Sequence, residues 1–124
     1  MLMSTTAFTQ NIQTSSIEWN CNSTFVARPG DIVDEVTKVV SSSDQIIWYD
    51  NAGVIKKTLS ITDTNGSWTN ISNNATINFM ITSGDDTGMV QFSRSNGATL
   101  IRIHLITDDD SQTYELTVDN SRTL

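Results

Sequence analysis

The groups in this chain best suited to chemistry are few and scattered. It holds one histidine, His104, and one cysteine, Cys21. Nucleophilic catalysis would need His104 beside Cys21 or a serine, with an acid to orient the ring. Alternation along Thr99–Thr107 puts His104 on the face of Arg102, opposite Ile101, Ile103 and Leu105. Cys21 falls on an apolar face, where a thiol behaves as a small hydrophobe. One histidine and one cysteine do not make a zinc site. Acidic groups cluster at Asp31/Asp34/Glu35, Asp85-Asp86 and Asp108-Asp109-Asp110. Calcium takes clustered oxygens, but none of these runs has a full loop of ligands. Asp63-Thr64-Asn65-Gly66 starts like such a loop, yet no glutamate follows at the required distance. All read as solvated turns.

Asp86-Thr87-Gly88 is the tripeptide used by two-aspartate proteolysis, where a pair of carboxyls shares a proton. Such motifs directly follow an apolar strand, whereas Ser83-Gly84-Asp85 precedes this one, so it reads as a hairpin loop. Aromatic rings can stack on sugars. Trp19 alternates with core residues, whereas Trp48, or its neighbour Tyr49, must face outward. Trp68 lies in a short Asn-rich run, so Trp48 and Trp68 form a candidate ligand platform. We expect no catalytic residue, no cofactor and no metal ligand.

The elements that would position these groups are strands. A run of β-branched and aromatic residues, then a cluster of Asn, Asp, Gly and Ser, recurs about every ten residues. Residues 16–28 alternate, with Ile17, Trp19, Cys21 and Phe25 on one side, and Pro29-Gly30 ends the run. Further runs cover Gln45–Tyr49, Val54–Thr62, Trp68–Ile71, Thr76–Thr82, Met89–Arg94, Thr99–Thr107 and Ser111–Asp119. Asp63–Gly66 reads as a turn, and Ser95-Asn96-Gly97 is the best hairpin signal. Residues 31–41 are ambiguous. Ile32, Val33, Val36, Val39 and Val40 have helical spacing, but every one is β-branched, so a short helix and a strand are equally expected. The expectation is an all-β protein: a small antiparallel β-sandwich or jelly roll of seven to eight strands, with a short helix at 31–41 as the alternative there. Residues 1–15 would be an extended N-terminal arm, and 16–124 a single β-sandwich domain.

Two strands break the in/out rule. Ile46-Ile47-Trp48-Tyr49 is apolar on both faces, and Leu100 and Ile106 interrupt the polar face of Thr99–Thr107. Their outer faces need a cover: the arm, the 31–41 segment, or another chain.

Composition narrows the function. The 124 residues suffice for one core. Ser, Thr and Asn occupy 15, 18 and 11 positions, which suits a wet, uncharged β surface. The formal net charge is −7, and the seven Lys and Arg are dispersed apart from Lys56-Lys57. That argues against nucleic acid and against an anionic membrane as partners. Four sequons, at Asn22, Asn65, Asn70 and Asn74, are what so much Ser, Thr and Asn gives by chance. The first residues lack a basic and an apolar region, so no signal peptide is expected, and no run is long enough to span a membrane. The expectation is a non-enzymatic structural subunit, such as a capsid-decoration or other surface protein of a bacteriophage-type virion. It would contact other subunits, as a homo-oligomer or on a shell protein, through Leu2, Phe8, Ile12, Trp48 and Tyr49. The alternative is a carbohydrate- or surface-binding module.

Overall fold

The structure, a computed structural model, describes residues 11–26, 31–33, 37–50, 52–106 and 111–124. Its strands are β1 (Ile17–Val26), β2 (Asp31–Val33), β3 (Thr37–Ser41), β4 (Gln45–Tyr49), β5 (Ile55–Gly66), β6 (Ala75–Ser83), β7 (Asp86–Ser95), β8 (Ala98–Ile106) and β9 (Ser111–Thr123). Every pairing is antiparallel, and there is no helix among the described residues.

β9 runs along β1 from Ile17↔Thr123 to Val26↔Tyr114. The other edge of β1 takes β3 along Ile17–Cys21 and β2 along Thr24–Val26. β2 and β3 thus share one edge and act as a single stave. From there each strand pairs with its successor to β9, which closes on β1. The result is a closed, eight-staved, up-and-down antiparallel barrel. This corrects the expectation of a sandwich or jelly roll. A barrel and a sandwich share the same alternation, and only the pairing of first strand with last distinguishes them.

The alternative of a helix at 31–41 is corrected for the residues described. Asp31–Val33 and Thr37–Ser41 are strands, while Asp34, Glu35 and Val36 lie outside the described residues. The β-branched side chains decide it: Val39 points inward opposite Trp48, and Val40 pairs with Ile47 on the outer side. This segment is therefore part of the wall and not a cover over it. Asp63–Gly66 also departs from expectation, extending β5 in pairing with Met80–Ile77 after a bulge between Ile61 and Asp63. Trp68–Ile71 is a loop instead of a strand. The hairpin at Asn96-Gly97 has two loop residues, both at positive φ (53° and 79°), the geometry of a tight turn that matches strand twist.

Eight strands enclose just enough room for side chains. Ile17 and Trp19, Ile46 and Trp48, Leu59, Phe79, Phe92, Ile101 and Ile103, and Leu116 fill it as one buried cluster. Trp19 contacts Phe92 (ring centroids 5.1 Å) and Trp68 (5.7 Å), and Phe79 meets Phe92 edge-on at 5.6 Å. The Trp19 indole donates to the Ser41 hydroxyl at 2.9 Å, so both buried polar groups are satisfied. Trp68 and Ile12 plug the end of the barrel that carries the 67–74 loop. The Ile12 N–H donates to the Trp68 carbonyl at 2.8 Å, and the Trp68 indole donates to the Asn70 carbonyl at 2.6 Å.

Candidate functional site on the outer wall

With the interior filled by its own side chains, the outer face is where this barrel can meet other molecules. The sequence-derived candidates divide accordingly. Ile12 is fully buried in the plug, so it anchors its own barrel and not a neighbour. Trp48 and Trp68 are each 1% exposed, near opposite ends of the interior, and share no open platform. Tyr49 lies on the outside, half-buried, with the Lys38 ammonium 4.5 Å from its ring centre. Leu2 and Phe8 lie outside the described residues. Cys21 lines the interior at β1, whereas His104 alternates outward from β8, so the wall separates the two groups. Asp86-Thr87-Gly88 opens β7 just after the Gly84-Asp85 turn. No group of three or more His, Cys, Asp or Glu residues is arranged to hold a metal ion among the described residues.

Trp48 sits between an aromatic ring and a cation. Its ring meets Tyr114 edge-on at 4.8 Å, and the Lys56 ammonium lies 5.0 Å from the ring centre. Among the described residues its buried indole N–H has no hydrogen-bond partner. Burial also pushes the Tyr114 phenol above its ordinary pKa.

Two apolar features mark the outer wall. The first is the β4–β5 hairpin. Tyr49 pairs with Ile55, which is 53% exposed, and Val54 beside it is 60% exposed. The turn is tied down by Asp50, whose carboxylate accepts from the Ala52 and Val54 N–H groups at 2.9 and 3.0 Å. The Asp50 N–H in turn donates to the Val54 carbonyl at 2.9 Å.

The second is a groove of about 450 Å³ across β5–β8, lined by Thr62, Met80, Thr82, Thr87, Met89, His104 and Ile106 over a floor of Ile81 and Gly88. Register explains the lining. Met80 pairs with Met89, Met89 with His104, and His104 with Thr113, so these four form one row across four strands. Thr82, Thr87 and Ile106 form the next. Gly88 lies in the groove floor. A Cβ there would overlap the His104 carbonyl oxygen, so only glycine lets β7 and β8 approach this closely. Within the groove, His104 Nδ1 lies 2.8 Å from the Thr113 hydroxyl, and the Thr62 hydroxyl donates to the Met80 carbonyl at 3.2 Å.

The methionines were not singled out by sequence reasoning. Their signal was available: Met80 interrupts the Ile77, Phe79, Ile81 alternation from the other face, and Met89 does the same beside Val90 and Phe92. What local pattern could not supply was their adjacency.

Elsewhere the outer surface carries charged pairs. Glu18 on β1 accepts from Arg122 Nε on β9 at 2.9 Å and lies 3.9 Å from Lys38 Nζ on β3. The hydrogen bond from Arg122, ahead of the charges of Arg122 and Lys38, holds the Glu18 carboxyl below its ordinary pKa. Arg102 and Glu115 pair across β8 and β9, and no described helix is long and apolar enough to cross a membrane. Comparison with protein-family models, with curated proteins and with solved structures finds no match to this chain.

Proposed function

We propose that this barrel is a non-enzymatic structural subunit that works by contact with other protein subunits, of the kind that builds or decorates the surface of a bacteriophage-type particle. The β4–β5 hairpin carries the reading. Val54 and Ile55 stand more than half exposed, beside Asp50, whose carboxylate accepts from the Ala52 and Val54 N–H groups. Backbone groups already tied by hydrogen bonds lose little conformational entropy on docking, which favours a contact element over a solvated loop. Tyr49 extends the patch down the outer wall, its ring edge polar and its face shared with Lys38. The filled interior adds support, since such a barrel offers its surface in preference to its lumen.

The test is solution mass at micromolar concentration, by sedimentation, for the full chain and for a Val54→Ser/Ile55→Ser double variant. The expected result is a discrete oligomer for the wild-type chain and a monomer of unchanged thermal midpoint for the variant. A wild-type monomer, or an oligomer indifferent to both substitutions, sinks self-assembly through this hairpin.

A further inference from the structure

We propose that Met80, Met89 and His104 form a site for a soft monovalent metal ion, copper(I), on the outer wall of the barrel. This goes beyond the assembly role and uses none of the hairpin residues. The chain has four methionines and one histidine, and three of these five side chains occupy adjacent positions in one cross-strand row. Directly opposed residues on neighbouring strands hold their Cβ atoms about 4.5–5.5 Å apart. Met80 and His104 therefore flank Met89 on either side, and all three line the same groove. Methionine is unbranched and flexible, so two thioethers can swing toward one point above the row.

The donor set fixes the class of ion. Thioether sulfur with imidazole nitrogen suits copper(I), whereas calcium and magnesium demand oxygens and zinc favours thiolate, imidazole and carboxylate ligands. The second shell fits as well. A metal-bound histidine usually has its other ring nitrogen held by an oxygen, which fixes the ring. Here Nδ1 lies 2.8 Å from the Thr113 hydroxyl, so Nε2 is the nitrogen left to bind. The three side chains line one groove, and Ile106 in the neighbouring row adds an apolar edge beside them, which favours a weakly hydrated soft ion. Binding is simple coordination, with no change in the oxidation state of metal or protein.

The rival use of the same groove is as an apolar docking face, and leucine separates the two. Met80→Leu and Met89→Leu keep size and apolarity while removing the sulfur. The experiment titrates the full chain with copper(I), under reductant and against a colorimetric chelator, and with silver(I) as a redox-inert probe. One ion per chain is expected, with the His104 Nε2 nitrogen resonance shifting on silver(I) binding. Each leucine variant should lose at least about ten-fold in affinity, and the double variant should lose the site, with unchanged far-ultraviolet circular dichroism. Cys21→Ser should bind as the wild-type chain does. Wild-type affinity in the double leucine variant, loss of binding in Cys21→Ser, or an unmoved His104 resonance at saturation would each overturn the proposal.

Discussion

The outer surface is built in two opposite ways. At the closing seam, β9, β1 and β3 present Arg122, Glu18 and Lys38, with Asn20 donating to Asn120 at 2.9 Å across the same joint. On the wall formed by β6, β7 and β8, the comparable row is Met80, Met89 and His104, with Ile106 in the row beside it. Both stretches rest on the same kind of interior, a buried apolar face. The seam joins β1 to β9, about a hundred residues apart, and the Arg122–Glu18 pair can exist only in that register. The β6–β8 wall consists of hairpins between strands adjacent in sequence. At the seam the polar pair reports on long-range register, because Glu18 and Arg122 meet only when β9 closes on β1. Local hairpins carry polar pairs as well, Asn78 with Gln91 and Arg102 with Glu115, so it is the apolar row from Met80 to Met89 that sets the β6–β8 wall apart.

This contrast can be broken or sharpened by substitution. The largest effect is expected inside the seam. Trp19→Ala removes the ring that meets Phe92 and Trp68 and strands the Ser41 hydroxyl. Chemical denaturation should show a loss of about 3–5 kcal/mol. A smaller loss would mean that Trp19 is not central to closure. Under the groove, Gly88→Ala forces a methyl group against the His104 carbonyl, and the strands must part. About 1–3 kcal/mol should be lost, with weakened amide protection at Gly88 and Leu105 in hydrogen exchange. Full stability in that variant would refute the claim that only glycine fits between β7 and β8 here.

The seam also predicts a pH dependence. The Glu18 carboxyl titrates below its ordinary value in the folded protein because Arg122 hydrogen-bonds to its charged form. Its contribution is thus complete at neutral pH and fades as pH falls through the ordinary carboxylate range and then through the lowered folded value. Glu18→Gln should flatten that part of the acid limb in urea midpoints measured from neutral pH downward. An unchanged limb would make the charged row dispensable to closure. The smallest effect belongs to the groove rim. Met80→Ser should change stability by no more than about 0.5 kcal/mol in the same assay. A large loss there would show that the outer wall is structural after all.

Much of this was legible in the residues. Alternation placed Ile77, Phe79 and Ile81 inside, and Asn96-Gly97 announced a tight hairpin because both residues tolerate positive φ. Other features were hidden. Trp68 and Trp48 offered themselves as surface platforms, since a short Asn-rich run and a strand apolar on both faces look exposed. In the fold, one ring stoppers the barrel and the other turns inward opposite Lys57. Asp63–Gly66 carries turn chemistry yet extends β5, because the ladder with β6 captures its backbone.

Local sequence determined the strand class, the inward and outward faces and the tight turns, because a two-residue period and the φ preferences of Asn and Gly act within a few residues. Tertiary structure alone decided closure, plug and groove. The β1–β9 register, the meeting of Ile12 with Trp68, and the row from Met80 to His104 all join residues whose separation leaves no trace in a local pattern. Sheet curvature and long-range pairing set which outward side chains become neighbours.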